Sequence, residues 1–364
     1  MEVDGEDGAA AAEDTTGNMD TQGEDTTGKT VIIDMGSDVI RAGFAADDGP
    51  RVSFPCASFE RRQSDVSDSG EEPRGRCPLE DGVPTNWAAT EKLWRRAFSE
   101  LGAASEGCQL FLTEAVRTPP AARERMAQIA FESLGVGSFY LSSHPVLCTF
   151  ATGRTTACVV DCGHAVSRVV PVHEGWAVYQ AIQRLPAAGR DLTTYVAKAL
   201  NVDEAVARDV KERHCLVRAR GDAAPPPPQA YALPDGTSID LGVERCAAPE
   251  LLFDATSGCA AKVVEAVATC DKDHAKDMYP GVLLAGGTTY AAGFAQRLDA
   301  DLRALLPASA KLFVFDMDRR RLAPFFGASL LTTINAFDPM FMTKAEYDAK
   351  GPRYVGDKCP GELW

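Results

Sequence analysis

An Asp-x-Gly turn occurs twice in this sequence, at the ends of two similar apolar segments. Asp34 and Gly36 form the first copy, and Asp161 and Gly163 form the second copy 127 positions later. Each copy predicts a buried strand, a tight turn and a second strand. One such turn is usually an ordinary hairpin. Two with matched flanks predict a clamp in which backbone N–H groups of both turns converge on one phosphate chain.

The two aspartates suggest a second role for the same turns. Carboxylate oxygens, directly or through bound water, are the ligands that Mg²⁺ and Ca²⁺ prefer. Asp34 and Asp161 are therefore candidates to hold a hydrated divalent cation beside the phosphates.

The segments around these turns resemble actin, in actin order, from about residue 30 to residue 359. The resemblance is carried by residues 34–51, 85–94, 112–115, 153–156, 188–193, 284–289 and 344–348. It implies an actin-like two-domain α/β fold, in which a duplicated mixed β-sheet with flanking helices surrounds a nucleotide cleft. It also implies that the bound phosphate chain is that of ATP or ADP, with Mg²⁺ or Ca²⁺.

Strand patterns followed by helical patterns occur twice along the chain, which fits two α/β domains. Helices are predicted at residues 90–101 and 121–135, the second beginning after two prolines, and near 325–364. The predicted parts are a disordered acidic tail at 1–29, a first domain at 30–151 and 322–364 with a truncated small subdomain near 56–77, and a second domain at 152–321 with a small subdomain near 188–258.

The resemblance also implies which residues bind the nucleotide. The phosphate-binding residues would be Asp34, Gly36, Ser37, Arg41, Asp161 and Gly163, and the adenosine-binding residues would be Arg208, Lys211, Glu212, Gly286, Gly287, Thr288, Tyr290 and Arg321, with Arg320 as the alternative to Arg321. The adenosine half keeps most of the residues of the family. The phosphate half is altered, since Arg41 replaces a lysine and Asp38 replaces a glycine.

Asp38 is the most consequential of these changes, because it brings a carboxylate toward the phosphates. Like charges a few ångströms apart in a partly shielded cleft cost on the order of 1 kcal/mol or more. We therefore expect Asp38 to weaken nucleotide binding unless its side chain points away or binds the cation.

The positions that serve hydrolysis in actins are changed as well. In-line attack on a γ-phosphate needs a water held by polar side chains. The glutamine and the histidine that serve this role align with His144 and Arg168, and His144 is followed by Pro145. We therefore predict no catalytic residue here. A substitute base, either His144 or His164, is the alternative.

Three segments are shorter than their actin counterparts, between residues 55 and 77, at 200–207 and at 253–258. The resemblance places all three at filament contacts. Surface loops tolerate deletion, but three losses at assembly surfaces predict a protein that does not form a homopolymer.

Composition narrows the class of protein further. The formal charge of −15 argues against direct nucleic-acid binding, and no segment reaches the roughly 18 apolar residues of a membrane span.

Residues 1–29 hold nine acidic residues and one lysine, so this tail carries a formal charge of −8 and the rest of the chain carries −7. The tail would be a solubilising extension or an arm for a basic partner. The eleven cysteines contain no C-x-x-C pair and are expected to be small buried residues of a reducing compartment.

These observations predict a non-filamentous actin-related protein that is a structural or adaptor subunit of a larger cytoskeletal complex in the cytoplasm. It would hold ATP or ADP with little or no hydrolysis. Its partners would be protein subunits, actin or another actin-related protein among them, and not membranes or nucleic acids. Two alternatives stay open, an active ATPase with a nucleotide-driven cleft cycle and a subunit of a nuclear chromatin-remodelling complex.

Overall fold

The structure is a computed structural model, which describes residues 30–57, 77–222, 224, 226–360 and 362–363. The predictions for the tail at 1–29 and for most of the truncated subdomain near 56–77 lie outside the described residues.

Strands and helices follow one another in two similar blocks. The first block contains β1 (Thr30–Met35), β2 (Val39–Phe44), β3 (Val52–Pro55), β4 (Leu79–Glu80), β5 (Val83–Pro84), α1 (Trp87–Leu101), β6 (Gln109–Glu114), α2 (Pro120–Gln128) with a π-helical continuation (Ile129–Ser133), β7 (Ser138–Ser143) and α3 (His144–Ala151). The second contains β8 (Ala157–Cys162), β9 (Ser167–His173), β10 (Trp176–Val178), β11 (Gln183–Arg184), α4 (Gly189–Leu200), α5 (Glu204–His214), β12 (Gln229–Ala232), β13 (Ser238–Leu241), α6 (Glu244–Glu250), α7 (Cys259–Thr269), α8 (Lys272–Met278), β14 (Val282–Ala285), α9 (Phe294–Leu305) and β15 (Val314–Phe315).

The last part of the chain contributes to both blocks. It forms α10 (Ala323–Thr332), β16 (Met342–Thr343), α11 (Lys344–Lys350), α12 (Val355–Lys358) and β17 (Glu362–Leu363). We predicted helices near 325–364, and this is wrong for the two short strands β16 and β17. β17 pairs in parallel with β10 at the edge of the second sheet. A two-residue strand has no periodicity of its own, so its conformation depends on a partner that the local sequence does not specify.

Both blocks build a mixed sheet in which five strands have the same order and directions, whereas the additional edge strands differ. The first sheet has the order β16-β7-β6-β1-β2-β3 and the second β15-β14-β8-β9-β10-β17, with β11 beside β9. In each, an antiparallel hairpin, β1–β2 or β8–β9, is extended by two parallel strands. Asp34 pairs with Arg41 in the first hairpin, and Asp161 pairs with Arg168 in the second. The strand–turn–strand repeat predicted from the two Asp-x-Gly copies is therefore confirmed.

Helix α1 supports the first hairpin from behind. The helix begins at a side-chain cap, in which Asn86 accepts a hydrogen bond from the Ala89 N–H, and it ends at Gly102 in the left-handed conformation (φ 63°). Trp94 on its inner face is fully buried, and its indole N–H donates to Met35 Sδ at 3.0 Å. This contact fixes the residue that follows Asp34.

A separate apolar cluster joins the two blocks. It combines Val116 and Val146 from the first block with Val159 and Leu283 from the second, and all four are buried. The cleft between the sheets is therefore closed at its base by apolar contacts. No described helix is both long and apolar enough to cross a membrane.

Helices α3 and α10 make the closest backbone approach near the cleft. A Cβ atom at Gly327 would lie 2.0 Å from the carbonyl oxygen of Leu147 on α3. Because α3 begins at His144, this contact helps to place that side chain. Glycine is required here because any side chain would collide with the backbone of Leu147, and not because of the backbone φ angle of Gly327.

We expect Gly327→Ala to lower the free energy of unfolding by about 2–3 kcal/mol, because the two helices must separate to admit a methyl group. Urea denaturation followed by circular dichroism measures it. Gly356→Ala in α12 is the matched control, because a Cβ there meets no atom within 4 Å and its effect should stay within about 1 kcal/mol. Equal stability of the two variants would contradict the packing argument.

Candidate nucleotide cleft

A cavity of about 190 Å³ lies at the two Asp-x-Gly turns and is lined from both blocks. The predicted residues that line it are Asp34, Gly36, Ser37, Arg41, Asp161, Gly163, Arg208, Lys211, Glu212, Gly286, Gly287, Thr288 and Arg321, together with His144 and Arg168. Its volume is below the roughly 300–1,000 Å³ of typical small-molecule pockets. The structure thus brings nearly all predicted positions together around a narrow space.

Tyr290 is the exception. Its hydroxyl donates to the carbonyl of Asp318 at 2.6 Å, its ring lies 4.0 Å from the Arg320 guanidinium carbon, and the residue is 39 % exposed. The two candidate arginines differ in position. Arg320 is buried and donates to Thr289 Oγ1 at 2.8 Å, whereas Arg321 lines the cavity.

The two turns face each other across the cavity. The N–H of Ala165 in the second turn donates to Ser37 Oγ in the first at 3.3 Å. A Cβ at Gly36 would lie 2.4 Å from the Val39 carbonyl oxygen, so this turn requires glycine. The opposed turns that the sequence predicted are therefore present.

Asp34 is the most enclosed acid of the site, with 2 % of its surface exposed. Its Oδ1 lies 3.0 Å from His144 Nε2 and accepts a hydrogen bond from Thr113 Oγ1 at 3.0 Å, and its Oδ2 accepts one from Arg41 Nη1 at 3.5 Å. Burial, the largest single influence, favours the neutral acid, but the hydrogen bond and charge of His144 together with Arg41 and Thr113 hold the pKa of Asp34 below its ordinary value.

His144 is the partner that completes this arrangement. Its Nε2 also lies 2.9 Å from Thr113 Oγ1, and Asp34 raises the pKa of His144 against the opposing influence of burial. Both pKa directions favour a charged Asp34–His144 pair. The histidine at the start of α3 is thus held on an aspartate that the sequence assigned to a cation.

The second turn presents a different environment. Burial raises the pKa of Asp161, and the nearby charges of His144 and Arg168 only partly oppose this. Arg168 donates to the carbonyl oxygen of Asp81 at 3.3 Å. Asp81 also pairs with Arg184, at 3.0 Å for the Oδ1 contact. The hairpin of β4 and β5 in the first block is therefore tied to strands β9 and β11 of the second.

Asp38 lines the cavity, and its carboxylate is occupied by a cation of the second block. It forms a two-point ion pair with Arg208, with N–O distances of 2.8 and 2.5 Å. Arg208 in turn donates to Glu212 at 3.1 Å. The pair spans the cleft from the first turn to helix α5. Arg208, which we predicted to bind adenosine, is therefore held in an ion pair within the protein.

The remaining predicted adenosine residues form a compact wall. Lys211 Nζ donates to Thr193 Oγ1 at 2.9 Å and to the Gly189 carbonyl oxygen at 3.2 Å, and burial lowers the pKa of Lys211. Thr288 Oγ1 donates to the Gly163 carbonyl oxygen at 3.0 Å. Gly286 has φ 78°, and a Cβ there would lie 2.3 Å from the Cys162 carbonyl oxygen. This glycine is thus required by both φ and space.

These contacts can be compared with what a nucleotide and a cation need. The glycine turns and the α5 wall contain the residue types that a nucleoside and its phosphates need, but Arg208 is paired with Asp38 and the cavity is only about 190 Å³. The cation fits poorly, because both oxygens of Asp34 accept hydrogen bonds from protein cations. Among the described residues, no group of three or more His, Cys, Asp or Glu side chains is arranged to hold a metal ion.

Comparison with protein families decides the identity of this arrangement. The family model named Actin matches residues 25–205 and 201–360. The chain belongs to the actin family. The actin-like two-domain fold expected from the resemblance is thereby confirmed, with its two mixed sheets and flanking helices. Actin-family proteins generally bind a nucleotide with a divalent cation.

Three residues that the structure adds to this actin-family cleft were not singled out in the sequence. Thr113 bonds both Asp34 and His144, and it lies in segment 112–115, which we quoted only for its resemblance. Asp81 and Arg184 form the second contact across the cleft. The Asp81-Gly82 pair is a typical hairpin signal, but its partner lies 103 positions away.

We expect His144→Ala to lower the free energy of unfolding by about 3 kcal/mol, because it leaves the Asp34 carboxylate buried with a weaker countercharge. Urea denaturation at neutral pH measures this. Adding Asp34→Asn to the variant should recover part of the loss, since the buried charge is removed. Arg184→Ala breaks an exposed pair and should cost less than about 1 kcal/mol. A His144→Ala variant as stable as Arg184→Ala would refute the buried pair.

Proposed function

We propose that this actin-family protein is a non-filamentous structural or adaptor subunit of a larger cytoskeletal assembly in the cytoplasm, and that it holds ATP or ADP with little or no hydrolysis. The observation that carries the proposal is the position of His144. Its Nε2 is engaged with Asp34 and Thr113, where hydrolysing relatives need a side chain that orients a water.

A general base must reach the proton that it removes. The Nε2 atom of His144 faces the Asp34 carboxylate, and with the pKa raised by Asp34 the protonated form of His144 is favoured. A protonated imidazole stabilises negative charge but does not accept a proton. His144 therefore supports retention of a phosphate chain better than its cleavage.

Nucleotide binding would require the Asp38–Arg208 pair to open. Released Arg208 would then be available to the ligand, and Arg41 and His144 would offset phosphate charge from the first block. Because the ligand would contact both blocks, it would stabilise the folded state by mass action without being turned over. Mg²⁺ or Ca²⁺ would accompany the nucleotide only by competing with His144 for Asp34, or by binding at Asp161.

Two of the shortened segments support a role outside a homopolymer. Helices α4 and α5 are joined by only three residues, where Asp203 caps α5 by accepting from the Val206 N–H at 2.7 Å. In the link from α6 to α7, Asp254 accepts from the N–H groups of Thr256 and Ser257 at 3.0 and 2.8 Å. These links are tight, locally satisfied turns that project no long loop toward another subunit. Partners would instead be different proteins, actin or another actin-related protein among them.

We expect Asp38→Gly to bind ATP on the order of tenfold more tightly than the parent protein, because a carboxylate and its competing ion pair are removed from the phosphate turn. Isothermal titration calorimetry with ATP gives the affinity. Anion-exchange chromatography of the nucleotide released by denaturation gives its identity. Asp38→Asn is the matched control, which removes the charge and keeps the side-chain volume. Equal affinities in all three proteins would exclude a role for Asp38.

The same preparations test hydrolysis. We expect bound ATP to remain ATP over hours and phosphate release to stay at the background rate. Stoichiometric ADP, with a turnover that falls in His144→Ala, would instead establish the ATPase alternative.

The absence of homopolymers is tested by sedimentation. We expect the protein to remain in the supernatant after ultracentrifugation at high concentration with Mg²⁺ and salt, while conventional actin treated in parallel pellets. A pellet that grows above a critical concentration would overturn the non-filamentous assignment.

A further inference from the structure

Two cysteines lie in contact beside the first phosphate turn. The Sγ atoms of Cys56 and Cys77 are 3.1 Å apart. Cys56 is fully buried at the end of β3, and Cys77 is half-buried just before β4. A disulfide has an S–S distance of about 2.05 Å, so a movement of roughly 1 Å would bring the pair to bonding distance.

Each member of this pair is connected to one contact across the cleft. The Cys56 N–H donates to the Asp38 carbonyl oxygen at 2.8 Å, and the Asp38 side chain holds Arg208. Cys77 leads into the β4–β5 hairpin, whose turn carries Asp81, and Asp81 pairs with Arg184 of β11 in the second block. A covalent bond between the two sulfurs would therefore join the backbone supports of both contacts.

The two thiols also differ in acidity and access in the way that oxidation requires. The hydrogen bond between the sulfurs is the largest influence on both thiols, and it lowers the pKa of Cys77 and raises the pKa of Cys56. Burial raises the pKa of other cysteines such as Cys108 and Cys270. Since the thiolate is the reactive form, Cys77 is suited to react first with an oxidant. Cys56 is then placed to attack the oxidised Cys77 sulfur and form the disulfide.

We propose that Cys56 and Cys77 form a reversible disulfide that stabilises the first-block rim of the cleft. This rim consists of the turn at Asp38 and the β4–β5 hairpin. With hydrogen peroxide as oxidant, the Cys77 thiolate attacks one peroxide oxygen. An S–O bond forms, the O–O bond breaks, and the departing hydroxide takes up the proton that Cys77 had released. The Cys56 sulfur then attacks the Cys77 sulfur. The S–S bond forms, the S–O bond breaks, and the hydroxide leaves as water with the Cys56 proton. Two thiols are oxidised and one peroxide is reduced to two waters.

The disulfide is detected directly in the full-length protein. The protein is treated with stoichiometric hydrogen peroxide and then unfolded in denaturant, where the remaining thiols are blocked with N-ethylmaleimide, and tryptic peptides are analysed by mass spectrometry without reduction. We expect one cross-linked species that joins the Cys56 and Cys77 peptides, a fall from eleven to nine alkylated cysteines, and full reversal by dithiothreitol. Eleven alkylated cysteines after treatment, or Cys77 linked to a different cysteine, would overturn the proposal.

Variants separate this pair from general cysteine oxidation. Cys77→Ser should abolish the cross-link, and Cys270→Ser, at a buried position away from the pair, should retain it. The thermal midpoint of the parent protein should rise by on the order of 5 °C on oxidation, because the link closes the loop between residues 56 and 77 in the unfolded chain. That rise should be absent in Cys77→Ser. If Cys56→Ser fails to fold, the half-buried Cys77 position still provides the test.

Hydrogen exchange tests the connection to the cleft rim. Oxidation should slow amide exchange at Cys56, whose N–H is bonded to Asp38, and in the β4–β5 hairpin. Exchange in helix α9 should not change. A disulfide that leaves the rim amides unaffected would refute the stabilising role.

Discussion

The structure of the cleft depends on the need of one buried carboxylate for positive charge. Asp34 lies at the end of a strand that is buried along its whole length, where an isolated charge would cost several kcal/mol. His144 and Arg41 provide the positive charge beside Asp34, and Thr113 donates a further hydrogen bond to it. His144 comes from the first residue of α3, which the close contact with α10 holds in place. Packing some distance from the cleft thereby determines the charge at its centre.

The equivalent acid in the second hairpin is treated differently, although the two hairpins have the same register. Asp161 faces Arg168 as Asp34 faces Arg41. Arg168, however, is drawn toward the carbonyl of Asp81, and burial raises the pKa of Asp161. The duplication of the backbone has therefore not produced a duplicated site. The charge of Asp34 is balanced by cations of its own block, whereas Asp161 is the more exposed of the two carboxylates.

Much of this could be predicted from the sequence, because the decisive signals are local. An apolar run, an Asp-x-Gly turn and a second run specify a hairpin within fifteen residues, and the prolines at 119 and 120 mark a helix start that the structure confirms at Pro120–Gln128. Side-chain partners were much harder to predict. Arg208 lies 170 positions from Asp38, and no sequence periodicity specifies which of several cationic side chains a partly exposed carboxylate pairs with. The same limit applies to Tyr290, whose position in the chain suggested the base pocket although its hydroxyl bonds Asp318 outside the cavity.

The Asp38–Arg208 pair narrows the cleft but is too weak to seal it. Its side chains are 29 % and 36 % exposed, and partly exposed ion pairs contribute about 1 kcal/mol or less. A ligand that bridges both blocks gains many contacts at once and would displace such a pair at modest cost. The buried Asp34–His144 pair is the stronger obstacle, because its side chains are only 3 % and 17 % exposed and removing either partner leaves a buried charge. Of the two pairs, Asp34–His144 is therefore the one that more strongly restricts what can bind at the centre of the cleft, and a cation could reach Asp34 only by displacing His144.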